Sequence, residues 1–260
     1  MARSAKARGP YTVLVLAATR AELASTVRAL GLRPRGPWHE GFVFEKRVVA
    51  GISGVGADRS VQTAQRGIAE FRPDMLVSLG FAGGLVPLLP RYAIAEYSWV
   101  TDGRDEALNL RGSIPIAHRE ADRPPDELSL LTHARFIDTV AWKRQLARQH
   151  VHAVDMETLH LGKLALQHRL TFRVARIVLD PWNVAIRNDM VSLVRPDGFT
   201  DRAAVAGALL RRPWRLGSLL ALGHESRRAA KDLASEMLGV LSDEERAFDV
   251  VRFRFIHPVA

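Results

Sequence analysis

The sequence predicts an α/β fold: a single domain with a mixed, mostly parallel central sheet flanked by helices, and a helical region near its C-terminal end. Apolar runs of strand length alternate with stretches of helical periodicity, which is the order that builds a parallel sheet covered on both faces. The length of 260 residues suits one large α/β domain. The 47% hydrophobic and 25% charged residues are ordinary for a globular chain and exclude a disordered one.

The elements are predicted from local runs and breakers. Strands are predicted over 11–18, in two segments of 42–52, and over 75–79, 151–154 and 172–179. Helices are predicted over 19–30, 57–71 and 155–168, and three more over 203–210, 214–222 and 225–238, the last ended by Gly239. Residues 80–84 are interpreted as a glycine-rich turn. Residues 103–131 are polar and aperiodic, and are interpreted as a long loop.

Several function classes are excluded or disfavoured by composition. The absence of cysteine excludes disulfides, thiolate metal sites and cysteine nucleophiles, and fits a cytoplasmic protein. The nine histidines form no recognisable ligand motif, so we expect no metal. Gly51, Gly54 and Gly56 do not form the dinucleotide fingerprint, which argues against NAD. Residues 1–10 are predicted to be a basic flexible tail before a domain over 11–260, and no run is apolar enough to span a bilayer.

Positive charge is in excess and is unevenly distributed. The chain has 37 Lys and Arg against 28 Asp and Glu, and the stretch from Arg195 to Lys231 has eight basic and three acidic residues. Such a surface could meet nucleic acid or lipid headgroups, or reflect a high arginine content with no partner at all. The segment 203–222 could likewise be an interfacial helix or a solvated surface hairpin.

Acidic residues follow the predicted strands at the edge where α/β sheets bind ligands. Glu22 comes after the first strand, Asp155 and Glu157 after the strand at 151–154, and Asp180 after the strand at 172–179. Each has an ordinary structural explanation, in a first helical turn, an N-cap or a turn before proline. Their convergence on one edge favours a site instead, because carboxyl groups around a sugar carbon are what glycosidic cleavage requires.

A set of motifs then carries a family resemblance. In order along the chain they are Ser53-Gly54-Val55-Gly56, Phe71-Arg72-Pro73-Asp74, Gly80-Phe81-Ala82-Gly83-Gly84-Leu85, Val154-Asp155-Met156-Glu157 and Arg176-Ile177-Val178-Leu179-Asp180. Over roughly residues 11–183 the sequence resembles the nucleoside phosphorylase superfamily, which includes the methylthioadenosine/adenosylhomocysteine nucleosidases. Residues 78–85, Asp180-Pro181 and the stretch 211–216 look most like the hopanoid-associated branch, thought to remove adenine from an adenosyl-hopane precursor.

The resemblance implies a role for each matching residue. It implies that Asp180 protonates purine N7 and that Glu22 activates the attacking water, as the catalytic pair. It implies substrate-binding positions for the following residues: Glu157 and Met156 at the ribose, Phe136 and Ile137 at the base, the glycine-rich segment Phe81, Ala82 and Gly83, and Arg176 as a support of the strand that carries the acid.

Two positions depart from the family pattern. Ser78 stands where phosphorylases often have a phosphate-binding arginine, although Arg20 lies near the missing phosphate loop, and Leu179 replaces the serine that usually precedes the acid. Ser78 and the missing loop favour water over phosphate as the attacking group, or a phosphate held by other residues. Leu179 implies weaker support around Asp180.

The expected function is therefore cleavage of the N-glycosidic bond of an adenine nucleoside with a 5′ substituent. No organic cofactor is expected, with inorganic phosphate the one candidate co-substrate. The expected partner is a small nucleoside rather than nucleic acid, with an anionic membrane surface as a second candidate, and the family implies a homo-oligomer. The alternative is a catalytically impaired nucleoside- or nucleic-acid-binding protein on the same fold.

Overall fold

A computed structural model describes residues 9–104, 106–110, 115–116, 127–185, 195, 197–199 and 216–242. The helices are α1 Arg20–Ala29, α2 Ala57–Phe71, α3 Val140–Ala147, α4 Thr158–Gln167 and α5 Leu216–Ser242. The strands are β1 Thr12–Ala17, β2 Arg33–Arg35, β3 Trp38–Val43, β4 Lys46–Ile52, β5 Met75–Gly84, β6 Ile94–Ala95, β7 Trp99–Thr101, β8 Ala107–Asn109, β9 Pro115–Ile116, β10 Ser129–Thr132, β11 Ala153–Asp155 and β12 Thr171–Asp180.

The strands form one mixed sheet. Its path is β2-β3-β4-β1-β5-β11-β10-β7-β8-β9, and β12 pairs with β5 and with β6. Pairing is parallel at the centre, where β1 lies between β4 and β5 and where β12 follows β5 along its whole length. Pairing is antiparallel at the margins, for example between β2 and β3 and between β8 and β9, and also between β5 and β11 within the sheet. The carboxyl ends of β1, β4 and β12 therefore point to the same side of the molecule.

Helices cover both faces of the sheet, because the apolar side chains of β1 point alternately to one face and the other and all are buried. Val13 and Val15 face one layer, where they share a core with residues of α5 such as Leu233. Leu14 and Leu16 face the other, with residues of α2 and α4 such as Ile68. Because successive side chains in a strand point to opposite faces, a strand buried on both sides is apolar throughout. The single α/β domain predicted from the sequence is confirmed.

Three expectations about local structure were wrong. Residues 80–84 are not a turn but the second half of β5, held between β12 and β11. The stretch 103–131 is not simply a loop, since it contributes β8, β9 and most of β10 to the sheet. Residues 216–222 of one predicted helix and the whole of the next, 225–238, belong to one helix, α5, which runs through Gly223 and Gly239 because it packs along α1 and β12.

Other expectations fall outside the described residues. These are residues 1–8 of the predicted basic tail, the helix 203–210, and Arg211, Arg212 and Arg215, on which the membrane-surface prediction depends. Association with an anionic surface therefore stays a prediction. Among the residues that the structure does describe, no helix is both long and apolar enough to cross a bilayer.

Candidate active site

One cavity of about 260 Å³ lies at the carboxyl ends of the central strands. This volume suits a small organic molecule rather than a single water. Nine of the ten residues predicted as site residues line it: Glu22, Phe81, Ala82, Gly83, Phe136, Ile137, Met156, Glu157 and Asp180. They come from α1, β5 and β12 and from the segments before α3 and α4. The rest of the wall includes residues already named from the sequence, such as Asp155 and Leu179, and others that the sequence did not single out, among them Leu222 and Ser226 of α5.

Glu22 is fixed at the start of α1 by a capping box. Its Oε2 accepts hydrogen bonds from the Thr19 backbone N–H at 2.7 Å and from the Thr19 hydroxyl at 2.9 Å. Its Oε1 accepts one from the Phe81 N–H at 2.8 Å. Burial raises the pKa of Glu22, and these donors together with the Arg176 charge oppose the rise. Glu22 is therefore both a helix cap and a cavity wall.

Gly80 permits the close approach of two charged side chains. A Cβ at this position would lie 2.7 Å from Glu22 Oε1 and 2.9 Å from Arg176 Nη1, too close for either side chain to stay in place. Because glycine has no side chain, the Glu22 carboxylate and the Arg176 guanidinium can both lie close to the backbone of β5. This requirement, rather than a turn, explains a glycine inside β5.

Arg176 is the predicted site residue that does not line the cavity. Its guanidinium lies beneath it and donates to Asp155 Oδ2 at 2.7 Å, to Ser78 Oγ at 2.7 Å and to Thr158 Oγ1 at 2.8 Å. Thr132 Oγ1 donates to the other oxygen of Asp155 at 2.7 Å. Arg176 thus anchors the turn between β11 and α4, which carries Met156 and Glu157.

Glu157 lies at the N-terminal end of α4. Its Oε1 accepts a hydrogen bond from the Gly56 N–H at 2.8 Å, across from the β4–α2 turn. Burial first, and the nearby charge of Asp155 second, raise the pKa of Glu157 to about 8. At neutral pH its carboxyl group can therefore carry a proton until a cationic partner enters the cavity.

Asp180 ends β12, just after an irregularity in its pairing with β5. Its Oδ2 accepts a hydrogen bond of 2.5 Å from Lys143 Nζ, and burial raises the pKa of Asp180 to about 6 although Lys143 opposes the rise. The sequence did not reveal Lys143. It lies on α3, which was not predicted, and a lysine of a short helix carries no signal that it will be buried.

No metal centre was predicted, and the described residues contain no group of three or more His, Asp or Glu side chains placed to bind a metal ion. The site offers the carboxyl groups of Glu22, Glu157 and Asp180 in the wall of a mostly apolar cavity, which Phe81 and Phe136 also line. Such an arrangement can transfer protons and stabilise a developing positive charge in a low-dielectric space.

Comparison with known proteins gives the fold. No family model matches the chain, and no curated protein matches it in sequence. The Helicobacter pylori 5′-methylthioadenosine/S-adenosylhomocysteine nucleosidase is similar in structure, with a TM-score of 0.62 at 15% identity over 90% of this chain and 99% of that one.

Two further structures agree. Futalosine hydrolase of H. pylori gives a TM-score of 0.61 at 15% identity, over 89% of this chain and 97% of that one. The Neisseria meningitidis 5′-methylthioadenosine/S-adenosylhomocysteine nucleosidase, in complex with methylthio-immucillin-A, gives 0.58 at 18% identity over 88% and 99%. The chain therefore has the fold of these nucleosidases.

Proposed function

We propose that this protein cleaves the N-glycosidic bond of a purine nucleoside and releases the free base. The observation that carries the proposal is that Glu22, Glu157 and Asp180 line one cavity and all have raised pKa values. Departure of a base from a sugar carbon passes through an oxocarbenium-like transition state, which needs an acid at the leaving group and negative charge near the sugar. The neighbours in fold that are named as nucleosidases or as a hydrolase support the same chemistry.

In the proposed reaction, Asp180 is the general acid. Its pKa of about 6 lies close to neutral pH, so the carboxyl group can both hold a proton and release it. Protonation or hydrogen bonding at purine N7 makes the base a better leaving group. Phe136, which lines the same cavity, would stack on the base, and the Ile137 backbone would bind its edge.

Glu157 and Glu22 would act on the sugar side. Glu157, with Met156 beside it, would bind the ribose hydroxyls and favour the positive charge that develops on the ring. Glu22 would orient and deprotonate the attacking water, and its three hydrogen bonds to Thr19 and Phe81 hold its carboxylate in one orientation for that role. Positioning of this kind lowers the barrier because the reacting groups need not be ordered at each turnover.

The attacking group is proposed to be water rather than phosphate. Ser78, at the position where phosphorylases often have an arginine, accepts a hydrogen bond from Arg176, whose guanidinium also binds Asp155 and Thr158. The guanidinium is thus committed to protein groups beneath the cavity. This supports hydrolysis, and phosphate dependence is the direct measurement.

The substrate is proposed to be an adenine nucleoside whose 5′ substituent begins with a thioether or a hydrocarbon group. Val55, Leu179 and Leu222 contribute apolar side chains to the wall, so the cavity favours a hydrocarbon or thioether group over a phosphate. The candidates are methylthioadenosine, adenosylhomocysteine and an adenosyl-hopane lipid.

The test is release of adenine from each candidate nucleoside, measured with and without inorganic phosphate. We expect free adenine in both buffers, and a fall in kcat of about 10²- to 10⁴-fold in Asp180→Asn, the size typical of a lost general acid. Lys163→Met is the control, because it removes an exposed lysine that pairs with Glu106 and does not line the cavity. Absence of adenine from every nucleoside in both buffers would contradict the proposal, and release only with phosphate would make the protein a phosphorylase.

The second candidate function is nucleoside binding without catalysis. It is favoured by one observation, the ion pair of Asp180 with the buried Lys143, since a carboxylate held ionised is a poor acid. Under this alternative the protein binds methylthioadenosine but releases no adenine, and Asp180→Asn leaves the Kd unchanged. Equilibrium dialysis beside the adenine assay distinguishes the two.

A further inference from the structure

Lys143 is an unusual residue because its side chain is completely buried. It lies on α3, and its relative exposure is 0%. Lysine is almost never fully buried unless its ammonium group is paired, because removing that charge from water is costly. Burial of this lysine therefore has to be offset by specific contacts.

Those contacts all lie in the chain that leaves β12. Lys143 Nζ donates to Asp180 Oδ2 at 2.5 Å, and lies within hydrogen-bond distance of the carbonyl oxygens of Asp180 at 3.1 Å, Pro181 at 3.0 Å and Val184 at 2.9 Å. An ammonium group has three N–H donors, so these four acceptors saturate it. One side chain thus holds both the carboxyl group of Asp180 and the backbone that follows it.

We propose that Lys143 is a positioning residue for the proposed reaction, fixing the Asp180 carboxyl group at the cavity wall and setting its protonation state with a buried positive charge. This proposal depends on the proposed function in one respect: the reaction in which Asp180 takes part is the base release proposed above. Leu179, the residue before Asp180, has no polar side-chain atom that could share this task.

The charge of Lys143 opposes the effect of burial on Asp180. Burial raises the pKa of Asp180, and Lys143 is the largest influence that lowers it, followed by Arg91 from the segment between β5 and β6. The other charged or titratable residues of the cavity wall are Glu22 from α1, Arg135 before α3, and Asp155 and Glu157 before α4. Removing Lys143 leaves burial with less opposition, so the Asp180 proton should be held to a higher pH.

The experiment titrates Asp180 directly in the full chain. Protein labelled with [¹³C]aspartate is followed by NMR across pH, and the Asp180 carboxyl resonance is assigned by its absence in Asp180→Asn. We expect a midpoint near 6 in the wild type. In Lys143→Met we expect a midpoint higher by about one pH unit or more, the usual effect of one adjacent cation. Lys163→Met, which removes an exposed lysine, should leave the midpoint unchanged.

The kinetic readout follows the same group. The limb of the kcat/KM profile that belongs to Asp180 should move to higher pH by the same amount in Lys143→Met, and kcat should fall about 10- to 100-fold because the carboxyl group is no longer held in place. Lys143→Gln, which keeps a donor without the charge, should shift the midpoint in the same direction and replaces the methionine variant if that one does not fold.

An unchanged Asp180 midpoint in a folded Lys143 variant would overturn the inference. The titration needs no turnover, so it is independent of the proposed function. If the wild type releases no base but the Asp180 midpoint is still higher in Lys143→Met, only the proposed function is contradicted. If the wild type releases base while Lys143→Met leaves the midpoint unchanged, only the role of Lys143 is contradicted.

Discussion

Two buried cation–carboxylate pairs lie at the same edge of the sheet and differ in what surrounds them. In the Arg176–Asp155 pair the two side chains are 3% and 1% exposed, and both oxygens of Asp155 accept hydrogen bonds from protein donors. In the Lys143–Asp180 pair the lysine is 0% exposed and the aspartate 9%, and Asp180 faces a cavity. We call the first pair closed, because protein donors bind both oxygens of Asp155 although Asp155 also borders the cavity. We call the second pair open, because Lys143 binds one oxygen of Asp180 and Asp180 lines the same cavity.

The difference separates support from chemistry. A carboxylate with both oxygens bound inside the protein has little to offer a substrate, so Asp155 holds the turn that carries Glu157. Asp180 has one oxygen bound to a lysine and lines the cavity, so its remaining capacity is directed to whatever occupies that space. Burial beside a cavity does not by itself identify a catalytic acid, because Asp155 is also buried there with both oxygens bound by protein donors.

The largest expected effect comes from breaking the closed pair. Arg176→Met should lower the free energy of unfolding by about 3–5 kcal/mol, because it leaves the Asp155 charge buried without its partner. Urea denaturation at pH 7 measures it. Lys143→Met should cost less, since Asp180 can take up a proton beside the cavity.

The matched control is Arg35→Met. Arg35 pairs with Glu40 at the surface and its side chain is 49% exposed, so its loss should lower the free energy of unfolding far less than the loss of Arg176. If Arg176→Met cost no more than Arg35→Met, or less than Lys143→Met, the distinction between a closed and an open pair would be wrong.

The second-largest expected effect concerns Glu157, whose carboxyl group is held by a backbone N–H instead of a cation. Gly56 N–H donates to Glu157, whose pKa is raised from 4.5 to about 8. A raised pKa in the folded state means that the folded protein binds the proton more tightly than the unfolded chain. The stabilisation that this tighter proton binding gives the folded protein is complete below pH 4.5 and is lost as the pH rises towards 8. The loss is about 1.4 kcal/mol for each pH unit between the two pKa values.

Glu157→Gln should remove this dependence. The difference in unfolding free energy between wild type and variant should change by on the order of 2–4 kcal/mol between pH 5 and pH 8, with the variant favoured at the higher pH. Denaturation at both values measures it, and Glu106→Gln, at an exposed salt bridge, is the control. Parallel curves for wild type and Glu157→Gln would show that Glu157 is ionised throughout.

The sequence was sufficient to predict the residues whose position follows from topology. Glu22 lies in the helix after β1 and Asp180 ends β12, and parallel pairing of β1, β5 and β12 brings these strand ends to one edge. Glu157 follows β11, which is antiparallel to β5, so all three residues meet at one cavity although parallel pairing accounts for only two of them. The roles assigned to them stay predictions, since the structure reports where they lie and not what they do. Apolar runs buried on both faces, such as β1, were readable for the same reason.

Lys143 could not be predicted because its burial depends on contacts distant in sequence. Its acceptors lie in residues 180–184, and α3 is only eight residues long. Gly80 was misinterpreted for a related reason. A glycine-rich segment favours a turn locally, but its long pairing with β12 keeps this one extended. The side chains of Glu22 and Arg176 leave no room for a Cβ at Gly80.

Longer-range packing also decided the C-terminal helix. Gly223 and Gly239 each cost a helix about 1 kcal/mol relative to alanine, which predicts interruptions. The helix nevertheless continues from Leu216 to Ser242 because its apolar face, including Leu233 and Met237, joins the core against β1 and α1. Burial of that face outweighs two local penalties, and no local signal reports it.

The smallest expected effect concerns Glu22, whose side-chain hydrogen bonds come from uncharged donors. Thr19→Ala removes the hydroxyl that caps α1 and donates to Glu22, so the free energy of unfolding should fall by about 1 kcal/mol. Thr19→Ser keeps the hydroxyl and should restore most of the loss. Because the Phe81 N–H and the Thr19 backbone N–H remain, Glu22 should stay near the cavity, and kcat for base release should fall less than it does in Asp180→Asn. Equal losses of activity in Thr19→Ala and Asp180→Asn would show that the cap, and not the acid at the open pair, limits the reaction.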